Sequence, residues 1–438
     1  MTSNWRTYIV SELEKAGLLR VEDGNHGEYR PRQDEFAETG TPFLRAAHMD
    51  KGRILFESAS RINETALSRI RKGIGCPGDT LLSSKGTVGK VALAPLDCES
   101  FVCSPQVSFW RSLNNNFLDY RFLYYYIQSS EFWFQVAVRS GETDMAPYIS
   151  LTNQRQFKIT IPELEEQKAI AHLLGTLDDK IELNQQMNRT LEAIAQAIFK
   201  FWFVEFDPVR AKMEGRQPEG MDAATADLFP DSFEYSPLGK IPKGWGVGTL
   251  DEEFKITMGQ SPPSSTYNEI GDGIPFYQGR RDFGFRYPTV RVYCHAPTRF
   301  ANAGDILVSV RAPVGDINMA NQKCCIGRGV AAVRHATGSR SYTYYSMLGS
   351  NSDFARYEAE GTVFGSINKK DFNFLSCTVP PPELVLKCEA LLYSLDQRIE
   401  NQEQESNTLA SIRDTLLPKL LSGKIRIKEP EKLVETVA

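Results

Sequence analysis

Basic side chains recur at matching places in two stretches of this 438-residue chain. The motif GD-[TI]-L-[LV]-S-x-[KR] occupies 78–85 and again 304–311, so Lys85 and Arg311 hold equivalent positions at the end of a predicted strand. Lysine and arginine bind phosphate oxygens, and the forked guanidinium also binds the edges of bases. A structural role is the alternative for both residues, and the sequence leaves it open.

Further polar candidates lie in loops near the same predicted strands. The segments 40–43 and 273–276 match as GTPF and GIPF, and donors that suit a reading edge follow each of them. For the candidates as a group, a solvated or structural surface residue is the alternative. The set is Arg45, His48, Gln278, Arg280, Arg281, Lys90, Arg71 and Lys72.

Motifs for catalysis are missing from the sequence. There is no Asn/Asp-Pro-Pro-aromatic motif and no glycine-rich cofactor fingerprint, and the stretch 83–90 lacks two residues of a phosphate-binding loop. The triplet 282–284 reads DFG, but the other kinase elements are absent. The five histidines are isolated, and the eight cysteines form no CxxC pair. The sequence therefore predicts a non-catalytic chain with no metal or cofactor of its own.

Two long amphipathic segments must position the candidate donors. The stretch from Ile161 to about Phe206 predicts a helix, and adding 218 to its numbers leads to a second copy at 379–421. LDDKIE in the first copy has become LDQRIE in the second, and a polar middle is present in both, which indicates an internal duplication. In the first copy, most apolar residues are separated by spacings of four and three, which are typical of a helix that packs along another helix. These residues are Leu177, Ile181, Leu191, Ala195, Ile198 and Trp202, with Asn184 and Asn188 in the polar middle.

The globular stretches before the two helices repeat one layout, at an offset that shrinks from 233 to 218. The sequence thus predicts an α+β protein with a pseudo-two-fold internal repeat. Two mixed α/β domains are expected to be separated by an antiparallel pair of long helices, an intramolecular coiled coil. A helix of about 30 residues spans roughly 45 Å. The predicted segments are domain 1 (1–160), helical region 1 (161–206), a linker (207–240), domain 2 (241–378), and helical region 2 with a tail (379–427).

Local patterns give more specific expectations. The run 102–109 predicts one strand and 120–138 one helix, whose aromatic residues from Phe122 to Phe134 belong to the core. Pro418 is expected to end the second long helix near Leu417. The apolar segment 199–203 is expected to pack under domain 1 or to anchor a partner.

The net charge of −5 is unevenly distributed. Residues 1–160 carry 19 basic against 18 acidic side chains and 241–378 carry 15 against 12, so the acidic excess lies in the helices and linker. This balance excludes an indiscriminate nucleic-acid binder but allows local contacts. With no apolar run of roughly 18 residues and no secretory signal, the sequence predicts a cytoplasmic protein without membrane contact.

Four stretches together carry a resemblance to a known family. They are PELEEQKAIAHLLGTLDDKIELN, FWFVEFDPVRAKMEGRQPEGMDAATADLFPDSF, IPKGW and PKLLSGKI, which begin at residues 162, 201, 241 and 418. Along its full length the chain resembles the specificity subunit of type I restriction-modification enzymes. The globular domains resemble that family in the order of their segments more than in residue identity.

The resemblance implies two target-recognition domains, each reading one part of a bipartite asymmetric site in double-stranded DNA. It implies two methyltransferase (modification) subunits and two restriction subunits as partners, on which S-adenosylmethionine, ATP and Mg²⁺ are expected. The helices are expected to set the spacer and to dock these partners, although a solvated helix face is the alternative. Candidate contacts are Glu165, Glu166, Asp179, Phe201 and Trp202.

Two other classes of function compete with this interpretation. A coiled-coil scaffold that holds protein ligands and ignores DNA would use the same helices. A methyltransferase fused to a recognition domain is disfavoured by the missing catalytic motifs.

Overall fold

The computed structural model describes residues 5–140, 148–359 and 365–427. Contacts divide the chain into two compact units, described separately below. The first unit comprises Met1–Glu182 with Ser406–Ala438, and the second comprises Leu183–Glu405. The first unit is therefore discontinuous in sequence, because the end of the chain completes it.

The first unit up to residue 161 contains many short strands. In chain order they are β1 (Arg6–Ile9), β2 (Leu19–Asp23), β3 (Phe36–Ala37), β4 (Thr41–Leu44), β5 (Met49–Asp50), β6 (Arg53–Ile54), β7 (Ser60–Ile62), β8 (Ile74–Gly75), β9 (Thr80–Ser83), β10 (Val91–Leu93), β11 (Phe101–Cys103), β12 (Val107–Ser112) and β13 (Lys158–Ile161).

Two sheets share one apolar core in this unit. The four-stranded sheet has the antiparallel order β10-β9-β12-β2, and the five-stranded sheet has the order β3-β7-β4-β11-β8 with β4 and β11 parallel. Leu81 and Phe109 from the first sheet pack with Leu44 and Phe101 from the second. The run 102–109, predicted as one strand, is two strands in different sheets because a turn at Ser104 and Pro105 separates them.

Helices cover the other face of the four-stranded sheet. The predicted helix 120–138 is two helices, since Phe132 N donates to Ser129 Oγ and begins a new one. Trp110 and Leu82 of the sheet pack against their buried aromatic residues, although Phe134 is 70% exposed and lies outside the core. The helices are α1 (Val10–Lys15), α2 (Glu64–Arg69), α3 (Tyr120–Ile127), α4 (Ser130–Ser140), α5 (Leu151–Arg155) and the 40-residue α6 (Leu164–Phe203).

The segment 207–240, whose composition predicts a linker, is ordered and packs into the second unit. It contains α7 (Asp207–Met213), α8 (Ala223–Asp227), β14 (Phe233–Ser236) and the start of β15 (Gly239–Pro242). Val209 and Phe229 are fully buried in the core of the second unit.

The rest of the second unit repeats the layout of the first. Its elements are β16 (Gly246–Thr249), α9 (Leu250–Glu253), β17 (Phe254–Met258), β18 (Tyr267–Asn268), β19 (Ile274–Tyr277), β20 (Tyr293–Cys294), β21 (Phe300–Ala301), β22 (Ile306–Val310), β23 (Val314–Met319), β24 (Cys324–Ile326), β25 (Val330–His335), α10 (Arg340–Gly349), α11 (Asn351–Ala359), α12 (Lys369–Asn373), β26 (Ser376–Val379) and the 40-residue α13 (Pro382–Leu421).

Sheet topology confirms the internal repeat. The orders β17-β25-β22-β23 and β18-β20-β19-β24-β21 match the four- and five-stranded sheets of the first unit, and β19 and β24 are again parallel. A buried aspartate at the start of the central strand binds an arginine on its neighbour in both units. The pairs are Asp79 with Arg111 and Asp305 with Arg334.

Within each unit a part of α6 packs antiparallel to a part of α13. In the first unit Ile170 and Leu174 lie with Leu420 and Leu421, and Arg413 Nη1 donates to Asp178 Oδ1 at 2.6 Å. The predicted antiparallel pairing of the long helices is thereby confirmed. None of the helices in the described part of the chain combines the length and hydropathy that crossing a membrane requires.

The polar middle of the predicted seam lies at the junction of the two helices in the second unit. Asn184 Nδ2 donates to Glu405 Oε2 at 2.8 Å, and Gln402 Nε2 contacts Met187 Sδ at 3.6 Å. Asn184 and Asn188 are almost fully buried. Amide groups inside a coiled-coil seam favour one register, because any shift would bury them without these partners.

Pro418 does not end α13, contrary to the prediction. The helix continues to Leu421, and Leu420 and Leu421 are buried in the first unit's core. Proline removes one helical hydrogen bond, but it stands in the last turn. There Ser422 N–H donates to the carbonyl of Pro418 at 3.2 Å, and burial of the two leucines holds the turn.

The second unit contains a fully buried arginine. Arg286 donates to Asp396 Oδ1 at 2.7 Å and to the Tyr345 hydroxyl at 2.8 Å, and it also binds Glu192. Its guanidinium lies 3.9 Å from the ring centroid of Tyr344. One side chain thus contacts both long helices and a sheet-covering helix.

Replacing Arg286 is expected to destabilise the protein strongly. Arg286→Ala leaves the carboxylate of Asp396 buried without its cation, which costs about 3–5 kcal/mol. Urea denaturation measures the loss. Arg398→Ala is the matched control, because this exposed arginine lies on the same helix as Asp396 and should change stability by less than about 0.5 kcal/mol. Equal losses of stability for the two variants would contradict the interpretation that Arg286 holds the long helices and the sheet-covering helix together.

Candidate nucleic-acid interface

Four loops of the first unit converge at one end of its two sheets. They are residues 24–27, 45–48, 84–90 and 104–106, called loop face 1. Asn25 N–H donates to the Cys103 carbonyl at 2.8 Å, and Ser104 N–H donates to the Leu44 carbonyl at 2.7 Å. Gly24 is required here, because a Cβ atom would lie 1.9 Å from the Ser104 carbonyl oxygen. Ser84 completes the face by donating its N–H to the Gln106 carbonyl at 2.8 Å.

The second unit builds the same arrangement from residues 259–261, 278–282, 310–316 and 327–329, called loop face 2. Gln260 N–H donates to the Ile326 carbonyl at 3.0 Å, and Gly327 N–H donates to the Tyr277 carbonyl at 2.9 Å. Val310 N–H donates to Gly329 at 2.9 Å. Each bond is the counterpart of one in loop face 1. The two faces therefore have one backbone frame.

Lys85 and Arg311 occupy equivalent, exposed places on the two faces. Each forms an isolated antiparallel bridge just after the central strand, Lys85 with Tyr148 and Arg311 with Ser366. The Lys85 ammonium lies 5.7 Å from the Tyr148 ring centroid. Neither cation forms an ion pair with a residue that the structure describes, so both are available to an external anion.

Lys90 and Arg280 connect loops within their own faces. The Lys90 ammonium donates to the Ala46 carbonyl at 3.1 Å, and its backbone N–H donates to Ser83 Oγ at 2.8 Å. In loop face 2, Asp316 takes the place of Lys90 and pairs with Arg280 at 2.9 Å. Both residues thus have a structural contact that the sequence did not reveal. Arg281, beside Arg280, is exposed.

Arg45 and Gln278 correspond in the two faces and are both exposed. His48, in the same turn as Arg45, corresponds to Arg281. Burial lowers the pKa of His48, and the nearby Arg45 guanidinium lowers it further. Since His48 Nδ1 also accepts the Arg45 backbone N–H at 3.1 Å, the ring is a neutral acceptor rather than a cation.

Arg71 and Lys72 are exposed at the border of loop face 1. They precede Gly73, whose carbonyl accepts the Cys103 N–H at 2.7 Å. The corresponding carbonyl in the second unit is that of Arg299, which accepts the Ile326 N–H at 3.0 Å.

Three exposed residues of the faces were missed by the sequence analysis. Gln106 lies on the turn before β12 and Arg328 on the corresponding turn before β25. Gln260 follows β17. They carry the amide and guanidinium groups that bind base edges. The repeat offset of 223 from Val107 to Val330 pairs the two turns with each other, but it does not indicate that strand pairing brings them beside the other loops.

The helix residues predicted to meet a partner are divided between surface and core. Asp179 is exposed and binds Arg121, whereas Glu165 is only partly exposed and lies 3.5 Å from the Lys168 ammonium. Contrary to the predicted exposure, Glu166 is 7% exposed and binds Arg426 and Trp5 within the first unit. Trp202 is 5% exposed and belongs to the second unit's core.

The apolar segment around Trp202 packs in the second unit, not under domain 1 as one of the two expectations had it. Phe199 and Phe203 contact the ring of Tyr342 at centroid distances of 5.7 and 5.2 Å. Phe201 is half-buried.

Within the described part of the chain, His, Cys, Asp and Glu side chains form no cluster suited to a metal ion. All eight cysteines are free thiols. The repeated geometry instead presents guanidinium, ammonium and amide donors on loops. Fold and site together define a duplicated α+β protein with two polar loop faces and long paired helices, a class suited to recognition.

Comparison with known proteins identifies the family. The profile described as the type I restriction modification DNA specificity domain matches residues 21–193 and 242–410. The chain belongs to this family.

Two relatives and one solved structure illustrate the match. A putative type I restriction enzyme MjaX specificity subunit of Methanocaldococcus jannaschii is 31% identical over 89% of this chain and 88% of its own. The HindI specificity subunit of Haemophilus influenzae is 27% identical over 97% of this chain and its whole length. The crystal structure of a type I system S subunit from M. genitalium shares the fold, with 16% identity, a TM-score of 0.56 and coverage of 96% of both chains.

The contacts of Lys85 and Lys90 predict different effects on stability. Lys90→Met removes the bond to the Ala46 carbonyl and should cost about 1–3 kcal/mol, because a buried acceptor loses a charged donor. Lys85→Met is the matched control and should change stability by less than about 0.5 kcal/mol. Urea denaturation of both variants tests this. A larger loss for Lys85→Met would show that its exposed position serves the fold.

Proposed function

We propose that the chain reads DNA sequence for a type I restriction-modification complex, with target-recognition domains over 1–160 and 241–378. Each domain reads one half of a bipartite asymmetric site in double-stranded DNA through its loop face. Membership of the DNA specificity family supports the choice of ligand. The duplicated loop faces support two separate readers.

One observation carries the proposal: a single backbone frame presents two different sets of side chains. Lys90 of loop face 1 corresponds to Asp316 of loop face 2, and Arg45 corresponds to Gln278. Bases are distinguished by the pattern of donors and acceptors that meets their edges. Two faces of one shape with different donors therefore suit two different half-sites.

The long helices, in regions 161–206 and 379–427, are proposed to set the number of base pairs between the half-sites. Each helix is continuous over 40 residues and contributes to both compact units. The buried amide of Asn184 and the half-buried amide of Gln402 support a single register. A fixed register gives a fixed length, which a spacer requires.

Catalysis is proposed to belong to the partners: two modification subunits and two restriction subunits, with S-adenosylmethionine, ATP and Mg²⁺ bound there. Asp179, which is exposed on α6, and Glu165, which is partly exposed on the same helix, are the proposed contacts for a modification subunit. Phe201, which is half-buried, is a weaker candidate. Glu166 and Trp202 are left out, because contacts within the chain already bury them.

Footprinting tests the two-reader proposal directly. The chain bound to its modification subunit should protect two patches of DNA separated by bare base pairs. Lys85→Ala should weaken protection of one patch, and Arg311→Ala that of the other, each by about tenfold in affinity.

Three results would contradict the proposed function. One continuous protected patch would exclude two readers, and equal weakening of both patches by each variant would exclude separate half-sites. Methyl transfer by the isolated chain would exclude a non-catalytic subunit.

Lengthening the helices tests the spacer. Seven residues inserted in both α6 and α13, in seam register, add roughly 10 Å at about 1.5 Å per residue. The unread spacer should grow by about 3 base pairs at roughly 3.4 Å per step, as methylation mapping in cells would reveal. A one-residue insertion in both helices is the control, since it rotates the apolar stripe and should destabilise the chain instead. An unchanged spacer after the seven-residue insertion would contradict the proposal that the helices set the spacer length.

A further inference from the structure

A polar cleft of about 500 Å³ lies in the second unit beside loop face 2. Its floor is formed by β17 and β25 of the four-stranded sheet, and one wall is formed by the residues around β21. Two exposed cations line it, Lys255 on the floor and Arg299 on the wall. Thr257 and Asn302 add hydroxyl and amide groups.

The cleft carries a net positive charge. Its one carboxylate, Asp305, is neutralised because Arg334 Nε donates to Oδ1 and the Asn302 N–H donates to Oδ2 at 2.6 Å. Lys255 is the cross-strand neighbour of Arg334. Among the described residues, neither Lys255 nor Arg299 has an acidic partner, so their two charges are unneutralised. Such a cleft attracts an anion with more than one negative group.

The equivalent place in the first unit contains a carboxylate that the second unit lacks. By strand pairing, Arg20 opposite Arg111 corresponds to Lys255 opposite Arg334, so Glu22 corresponds to Thr257. Glu22 Oε1 accepts the N–H of Gly73 at 2.6 Å. A carboxylate therefore occupies the place that is open in the second unit. Among these paired residues, the second unit therefore has one negative charge fewer than the first.

The cleft joins the surface that the second domain is proposed to use for reading. Thr298, on the cleft wall, donates its hydroxyl to the Gln260 carbonyl of loop face 2 at 2.9 Å. The carbonyl of Arg299 accepts the Ile326 N–H next to Gly327 of the same face. A DNA strand that leaves loop face 2 in this direction would pass over Lys255 and Arg299.

We propose that this cleft binds the sugar–phosphate backbone of duplex DNA next to the half-site read by the second domain. Lys255 and Arg299 contact phosphate oxygens, and Thr257 and Asn302 donate hydrogen bonds to them. The proposal rests on the proposed function. It makes the second domain the stronger backbone anchor, since phosphate contacts add affinity without base selectivity.

A charge-removal variant tests the cleft in the complex of the chain with its modification subunit. The double variant Lys255→Ala with Arg299→Ala should weaken binding to target and unrelated duplexes alike, by about tenfold. The slope of log K against log salt, which is negative, should become smaller in magnitude by about 2. Preference for the target should not change. Lys240→Ala with Lys243→Ala, which removes two exposed charges elsewhere in the second unit, is the matched control and should leave the slope within experimental error of wild type.

A second variant guards against a folding artefact. Thr257→Glu installs the residue type found at the corresponding position of the first unit, where a glutamate is compatible with the fold. It should lower the affinity for both duplexes without changing the melting temperature. Ethylation interference should locate the lost phosphate contacts beside the second half-site only.

The possible outcomes separate this proposal from the proposed function. If the wild-type complex binds no duplex, both are overturned. If wild type binds two patches but the cleft variants behave like the Lys240/Lys243 control, only the cleft proposal is overturned. If inorganic phosphate binds the cleft while the DNA salt slope is unchanged by the variants, the site serves a free anion and the DNA proposal fails.

Discussion

An amphipathic helix of forty residues cannot bury its apolar stripe against itself, and this constraint organises the whole chain. In each compact unit the stripe of α6 is buried with the help of α13, so neither helix has to expose it. Amides and carboxylates interrupt the stripe: Asn184 donates to Glu405, and Asp178 and Asp396 accept from Arg413 and Arg286. Apolar burial supplies the stability of this arrangement, and the polar interruptions select one register.

The two units separate the residues that keep the fold from those that meet a ligand. The aspartate–arginine pairs of Asp79 and Asp305 hold equivalent strands in place, and equivalent backbone bonds fix the loops. On that common frame the outward side chains differ from one unit to the other. A rigid scaffold with divergent loops is the usual way to obtain new recognition without a new fold. It explains how one duplicated gene segment yields two surfaces with different chemistry.

The repeat made much of this structure readable from the sequence. The offset of 218 and the four–three spacing predicted the antiparallel helices, and the shared motif placed Lys85 and Arg311 correctly at equivalent points. Predictions based on local composition were less successful. Pro418 was expected to stop a helix that buried leucines continue. Trp202, expected to pack under domain 1 or to contact a partner, lies in the core of the second unit. Gln106 and Arg328 were missed because long-range strand pairing, which no local pattern encodes, brings their turns to the loop faces.

The first unit is completed by residues from the far end of the chain. Leu420 and Leu421 fill its core, and Arg426 closes over Glu166. During synthesis, the ribosome must therefore translate the codons up to residue 426 before this unit can reach its final packing. Until then Ile170 and Leu174 remain uncovered on the nascent polypeptide. A premature stop codon before residue 420 would thus damage the packing of a unit whose other residues, up to 182, were made much earlier.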